Sequence, residues 1–567
     1  MYRTRLDWDE RMARGRMPVP YVLLETALGW RVFGSQGTPW LLSWELATAG
    51  GSVMADGTMR AGEAHALFDV GSRVVSFGRF ERALNPRTDD ILTAYTTRSQ
   101  GWTTVILDNA DGYFTRIMAR EPVLGKRVRI HVGYSGDRIS RHLSLFVGTV
   151  AEARPVGTEL ALDVEESLSG LNETYYLRRA NDFPDAGDTG SALPLPYGNL
   201  TDAGEKGVWT CPCIDKTRFV YAYAGRPVLS KDNGNPVRVW ADGEALYESD
   251  FTFKHADPDY GDAATITLDS DPEGKTITAS GMGRDNGVGR LMNNLVDVME
   301  DFLGLAGWAG EWDVTARSRT RSVFQKQEYA LGGVVTEDTQ IFQVLQDMAA
   351  SFLGSVYLDG PGRLVVRLGS DRYKDPVAAL VGRRDTGEVQ PRQSLRYLVN
   401  QCPANFRYLY ADGSWDGFDD GEHTRDPASQ RIFGVRQPGE PYPFYWCRDL
   451  ASVRTMQAFL VERFKNPVWV MDFTEVRGRC INVDVGDILA CTFKGLFSDG
   501  EEMVNQLVRV LSVRPDLDRM VVEFTAMDTG RFLPIQPFSG GGPYLAGGAY
   551  LADGSYQAGG NRDTNDY

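Results

Sequence analysis

The sequence predicts a mainly β protein with a helical segment, an α+β chain in which two barrel-like β domains are separated by a small β domain and a helix-containing domain. Three observations carry this. Glycine makes up 61 of 567 residues, well above the roughly 7% of ordinary proteins, and it accompanies many Val, Thr and Tyr, a mixture that favours short strands joined by tight turns. Apolar residues alternate over both the first and the last third of the chain. Between them the hydrophobic period lengthens to that of a helix. At 62.9 kDa the chain also exceeds what one hydrophobic core can hold, so several units are expected.

Residues 1–17 form an N-terminal arm. Arg3, Arg5, Arg11, Arg14 and Arg16 stand among Asp7, Asp9 and Glu10, without the apolar run that a signal peptide needs. No stretch anywhere has the length and apolarity to span a bilayer. From 18 to 170 the pattern is β. Val128, Ile130 and Val132 share a parity, as do Leu160, Leu162 and Val164, which puts one face in a core and the other in water. Turn residues at 109–112, 133–137 and 155–157 make consecutive strands antiparallel neighbours. Residues 171–290 read as a smaller β domain: Pro194, Pro196 and Gly198 interrupt any ladder, and Val237–Gly243 is a strand entering an Asp-Gly turn.

The helix-containing domain is placed at 291–394. Leu291, Leu295, Val298, Met299, Phe302 and Leu303 form one helical stripe ending near Gly304, and Ile341, Val344, Leu345, Met348 and Phe352 form another. Glu337 and Asp338 are placed to favour the second helix's N-terminus, and Gly354 to end it. A hairpin follows, turning at Asp359-Gly-Pro-Gly362. The second barrel-like domain is placed at 395–535, with a helix over 449–465 closed by Asn466-Pro467, a strand after Gly486-Asp487, and a hairpin pairing Leu507–Val513 with Met520–Phe524. The tail, 536–567, repeats Tyr544-Leu-Ala-Gly-Gly, Tyr550-Leu-Ala-Asp-Gly and Tyr556-Gln-Ala-Gly-Gly at a period of six. In an extended chain an even period sends Tyr544, Tyr550 and Tyr556 to one side, as a partner-docking strip; a flexible Gly-rich terminus is the plainer alternative.

The sequence carries few of the patterns that mark chemistry. The five histidines, His65, His131, His142, His255 and His423, lack the i, i+4 spacing of a helical metal site. Six cysteines are too few for a disulfide framework in a chain this long and are expected reduced and buried; Cys211-Pro-Cys213 fits neither zinc-ribbon nor redox spacing. Gly281–Gly287 misses the dinucleotide fingerprint, and the acidic loops at 257–262 and 416–421 lack the EF-hand spacing. No serine elbow is present. The sequence therefore predicts no enzyme, no catalytic residue, no metal and no cofactor. A net charge of −16 removes the electrostatic attraction on which general nucleic-acid binding depends.

The order of these elements resembles the baseplate hub or tail-tip proteins of tailed bacteriophages. The resemblance rests on Val105–Phe114, Leu145–Val150, Leu193-Pro-Leu-Pro-Tyr-Gly198, the segment from Gln340 to Ala349 with Gly354–Asp359 and Gly362–Val366, then Leu398-Val-Asn400, Asp426 with Ser429 before Phe433–Arg436, the 449–465 helix and Val485-Gly-Asp-Ile488. It covers roughly 20–530. It implies a homotrimer whose two barrel-like hub domains per chain make a ring of six similar units. Such a hub links the six-fold tail tube or distal tail ring to the three-fold tip or central fibre and contributes to the channel for DNA ejection. The implied partners are the distal tail or tail tube protein, the tape measure protein, the central fibre or tip protein, and viral DNA passing without specific binding. The implied location is the virion tail tip or baseplate, after synthesis in the bacterial host cytoplasm. Larger relatives carry cell-wall hydrolase or fibre-binding extensions, and the tyrosine repeats stand in their place here. A tail-associated peptidoglycan hydrolase or peptidase, and a receptor- or carbohydrate-binding tail protein, are the alternatives.

Overall fold

The computed structural model describes residues 18–26, 29–35, 52–53, 59–60, 71–84, 101–134, 142–168, 170–202, 206–369, 377–493, 495–498, 501–532, 548–550 and 556–558. Mainly β architecture with a helical segment is what it contains.

The first sheet is built from Val19–Thr26 (β1), Gly29–Gly34 (β2), Gly71–Ser72 (β3), Val74–Ser76 (β4), Trp102–Asp108 (β5), Arg127–Gly133 (β6), Leu143–Val156 (β7) and Glu159–Glu166 (β8), in the order β3-β2-β1-β6-β7-β8-β5-β4. Its two ends are adjacent in the chain. β3 lies parallel to β2, and β4 lies antiparallel to β5. Arg73 between them donates its N–H to Gly34 O at 3.0 Å and accepts from Asp108 N at 2.7 Å. One extended stretch thus closes the sheet on both flanks into a barrel-like form. The expected parity holds: Val128, Ile130, Val132, Leu160, Leu162 and Val164 are all buried in one core. A short helix, Tyr113–Met118 (α1), follows β5, with Gly112 at φ 67° preceding it.

Residues 195–282 form two facing sheets. One joins Leu195–Leu200, Trp209–Thr210, Arg238–Ala241 and Ile277–Met282; the other joins Cys213–Asp215, Val220–Ala224, Phe251–Asp257 and Ala263–Leu268. Trp209, Tyr223, Val239 and Ile266 fill the space between them. A strand from the helical stretch, Gly332–Val335, completes the first of these sheets against Leu195–Gly198.

The helices are Leu295–Leu305 (α2), Val314–Lys326 (α3), Ile341–Ala350 (α4), Pro427–Phe433 (α5) and Leu450–Phe464 (α6). Asn294, Asp313, Asp426 and Asp449 cap α2, α3, α5 and α6, each side chain accepting a backbone N–H of the first turn. Leu291 stands before α2, in a bridge with Asp285, because Asn294 starts the helix three residues later. Asp338 does not serve α4. It accepts from Leu177 N at 3.0 Å and pairs with Arg179. The sequence pattern missed α3, which buries only Thr320, Val323 and Phe324 and so shows almost no apolar stripe.

The second sheet is Val377–Val381 (β9), Thr386–Gln393 (β10), Trp469–Glu475 (β11), Ile488–Cys491 (β12), Gln506–Asp516 (β13) and Val521–Phe532 (β14), in the order β9-β12-β13-β14-β11-β10. The sequence boundary at 394/395 cuts across this sheet, since β9 and β10 pair into it while lying ahead of that point. Their mostly half-exposed and exposed side chains hide the strand pattern. Here too consecutive strands occupy opposite ends, and the short link 382–385 carries the chain from one flank to the other.

The two barrel-like units are the same structure repeated. β9 runs parallel to its neighbour as β3 does, and β10 runs antiparallel to β11 as β4 does to β5. The remaining strands correspond as β5 to β11, β6 to β12, β7 to β13 and β8 to β14. Registers agree residue for residue: Ala153 faces Leu162 and Pro155 faces Leu160, as Val513 faces Phe524 and Pro515 faces Val522. Both hairpins bulge at the same place, between Val150 and Glu152 and between Val510 and Ser512. Gly125 N donates to Val150 O at 2.8 Å and Val150 N to Lys126 O at 2.9 Å; Gly486 N donates to Val510 O at 2.8 Å and Val510 N to Asp487 O at 2.9 Å. Gly125 and Gly486 have φ of 71° and 77°, the left-handed region that glycine enters without cost. Among the described residues the first unit adds the β1–β2 hairpin between its closing stretch and β6, and the helix α1 after β5.

Candidate functional site: the junction of the two barrels

The junction between the repeated units is the site that the fold builds. It begins at the end of β4. The chain leaves the first sheet at Ser76 and crosses to the second, where Arg82–Ala83 pairs antiparallel with β13, Ala83 opposite Ser512 and Arg82 opposite Val513. Leu84 N donates to Leu511 O at 2.8 Å. A strand of the first unit thereby covers an edge of the second.

Side chains fasten this crossing. Asp518, at the tip of the β13–β14 hairpin, accepts from Ser76 Oγ at 2.6 Å and Phe77 N at 3.1 Å. Arg79 pairs with Asp516 at 3.1 Å and Glu523 at 3.6 Å. Glu81 takes Arg514 at 2.6 Å and Ser512 Oγ at 3.1 Å. These are partly exposed pairs, each worth well under about 1 kcal/mol alone and useful mainly for register. Arg82 is different because it is buried. It stands 3.5 Å from Asp484 of the second unit and donates to Leu145 O of the first. The bulge between Ser144 and Phe146 takes Leu145 out of the β6–β7 ladder, so its carbonyl needs that donor.

A hairpin from the helical stretch, Gly354–Leu358 with Leu364–Leu368, forms the third side. Tyr357 Oη donates to Val485 O at 3.2 Å, Arg367 pairs with Asp487 at 2.9 Å, and Ser144 Oγ donates to Gly360 O at 3.4 Å. One apolar cluster runs through all three parts, from Phe80 and Phe146 through Tyr357 and Val365 to Met471, Val485 and Phe524. The two barrels thus share one close-packed core.

The remaining sequence candidates are placed as follows. None of the six cysteines is in a disulfide, and all are buried. Burial pushes the Cys402 and Cys447 thiols up to about 12, and those of Cys211 and Cys491 higher still. Among the described residues no group of three or more His, Cys, Asp or Glu could hold a metal ion, and no helix is long and apolar enough to cross a membrane. His65 and Tyr544 lie outside the described residues. Gly548–Tyr550 and Tyr556–Ala558 pair as a small antiparallel ladder with Tyr550 opposite Tyr556, so this part of the tail folds back instead of running on extended. The junction itself was not found from sequence. Its one local signal is Arg154-Pro155 recurring as Arg514-Pro515.

No family model and no curated protein matches the chain. Solved structures do. It is similar to a tail protein from Neisseria meningitidis MC58 at 8% identity and a TM-score of 0.35, over 81% of this chain and 96% of that one. It is similar to a 43 kDa tail protein of prophage MuSo2 from Shewanella oneidensis at 10% identity and a TM-score of 0.32, over 80% and 92%. A prophage tail protein from Listeria monocytogenes EGD-e matches at 8% identity and a TM-score of 0.30, over 81% and 90%. All three are named as tail proteins.

Proposed function

We propose that the protein is a structural component of a bacteriophage tail tip: a homotrimeric baseplate hub that joins the six-fold tail tube or distal tail ring to a three-fold tip or central fibre. The observation that carries this reading is the repeat. Two units with one topology, one register and matching hydrogen bonds let three chains offer six similar positions, which is what a joint between six-fold and three-fold parts requires. The junction around Arg82 holds the two units of a chain in one relative orientation, as a ring of six demands. Distal tail or tail tube protein, tape measure protein and fibre or tip protein are the partners of such a part. The net charge of −16 fits a wall past which DNA slides without adhering. Tyr544, Tyr550 and Tyr556 are proposed to dock a neighbouring tail component.

The test is light scattering of the purified protein together with a reconstruction of particles that contain it. A homotrimer at the tail tip is expected; a monomer absent from virions would overturn the proposal.

A second reading, binding of a receptor glycan, draws on Tyr408, Trp415 and Tyr445, whose rings lie 4.9–5.0 Å apart at the surface. Aromatic faces of this sort stack on sugars. A glycan array would give a specific hit under this reading and none under the first.

A further inference from the structure

Helix α5 is turned the opposite way from an ordinary surface helix, which hides its apolar stripe. The residue it buries is Ser429, whereas Ile432 is 72% exposed and Val435, just past its end, is 57% exposed. Single exposed apolar side chains are common, but this pair is held out by a framework of polar groups. Buried Asn400 donates through Nδ2 to Ser429 Oγ at 3.1 Å and Gly434 O at 2.9 Å, and accepts from Arg436 N at 2.8 Å. Asn400 N and Gln401 N both donate to Arg436 O, at 3.0 and 3.2 Å. Arg431 and Arg436 flank the pair; both are exposed, and neither meets a carboxylate among the described residues.

We infer that this face, from Arg431 to Arg436, is a seat for the chain's own C-terminal tail, residues 536–567. Position and charge argue for that occupant. β14, from which the tail continues, lies beside α5: Thr529 O accepts from Arg463 Nη1 at 2.7 Å, and Lys465 O, two residues further along, accepts from Ser429 Oγ. Ile432 is about one helical turn beyond Ser429, roughly 5 Å. The eleven residues between Phe532 and Tyr544 span up to roughly 36 Å, so Tyr544 and Leu545 reach Ile432 and Val435 with chain to spare. Tethering gives such a segment an effective concentration on the order of millimolar, an advantage that a separate molecule lacks. The tail holds Asp553, Asp563 and Asp566 against Arg562 alone, a negative segment for a cationic face. The N-terminal arm, with five arginines against three acids, has the wrong sign. The inference does not depend on the trimeric reading. It adds a condition to the docking of Tyr544, Tyr550 and Tyr556: a neighbour must lift them from α5 first.

Photo-cross-linking tests the inference in the full chain carrying Ala428→p-benzoylphenylalanine, an exposed position one turn before Ile432. The expected product keeps the mass of one chain on a denaturing gel and joins residue 428 to a peptide from 536–567. Products that join two chains, products that reach only peptides outside 536–567, or no product at all overturn the inference. Limited cleavage by chymotrypsin within 536–567 gives a second arm. Ile432→Ser combined with Val435→Ser is expected to quicken it by roughly tenfold or more, the factor that burial of a single aliphatic side chain contributes to a closing equilibrium. Arg431→Glu combined with Arg436→Glu should quicken it too, through repulsion of the tail's acids. Cleavage at the unsubstituted rate in both variants, with the circular dichroism spectrum unchanged, overturns the inference.

Discussion

Replacing Arg82 by Met is expected to open the junction between the two barrels. The guanidinium sits 3.5 Å from Asp484, with only 6% and 13% of the two side chains exposed. At an effective dielectric constant of about 20, two charges at that separation attract by roughly 5 kcal/mol, most of it offset by what their burial costs. Methionine removes the guanidinium that lies over the Phe80 ring, takes the cation from the Asp484 carboxylate and leaves Leu145 O without its donor. Breaking one partner of a buried pair costs about 3–5 kcal/mol. The readout is native-state hydrogen exchange at residues 82–84 and 511–513, which follows local opening without requiring the whole chain to unfold in two states. Since about 1.4 kcal/mol is tenfold, exchange there should quicken by roughly two to four orders of magnitude. Asp484→Asn supplies the control. In that background Arg82→Met should cost clearly less, because no bare charge is left behind. Equal costs in both backgrounds would refute the coupling and make Arg82 a packing residue only.

Four further outcomes are expected. Gly125→Ala should destabilise its unit by about 1–2 kcal/mol from the left-handed backbone, in thermal unfolding, and Gly486→Ala by at least as much, since its added Cβ would also stand 3.3 Å from Arg367 Nη1; substitution of either glycine without cost would count against the backbone argument. In the folded protein none of the six cysteines should react with iodoacetamide at pH 8, while all six should react in denaturant, as mass spectrometry can count. Asp426→Ala should cost about 1 kcal/mol at pH 7 through loss of the α5 cap. The amide of Ser429 above all, and Lys465 beside it, hold the Asp426 carboxyl below its usual range, so its contribution is present above the unfolded pKa near 4 and disappears as pH falls through the lower folded value; the difference between variants should therefore shrink in acid. Truncation after Phe538 should impair particle assembly or infectivity if the tyrosine repeats dock a neighbour, and intact particles would remove that role.

What could be read in advance followed from apolar periodicity. Val128, Ile130, Leu160 and Leu162 announced their strands because each has one wet and one dry face, and the α4 stripe was visible for the same reason. α3 was invisible because a helix with three buried residues leaves a sequence that reads as polar. The repeat was invisible for another reason. It resides in backbone hydrogen bonds and register, which Val, Leu, Ile, Cys and Phe satisfy interchangeably, so Ile130 can stand where the other unit has Cys491, and Leu162 where it has Phe524. Few positions kept their identity, among them Gly125 with Gly486, where the backbone is left-handed, Val150 with Val510, and Arg154-Pro155 with Arg514-Pro515. The junction was out of reach for a third reason: its partners, such as Arg82 and Asp484, are hundreds of residues apart, and no local pattern records a meeting at that distance.

That separation also has a meaning in time. Residues 76–84 leave the ribosome early, yet the strand they must cover, Gln506–Asp516, is synthesised more than four hundred residues later. At roughly 5–20 residues per second the wait is on the order of tens of seconds. During that interval the first barrel, whose closing stretch and hairpins are all local, can fold and persist with Phe77, Phe80 and Arg82 uncovered. The chain therefore carries a sticky, half-finished face through most of its own synthesis, and the closing hairpin of the second barrel, β13 with β14, is what seals it.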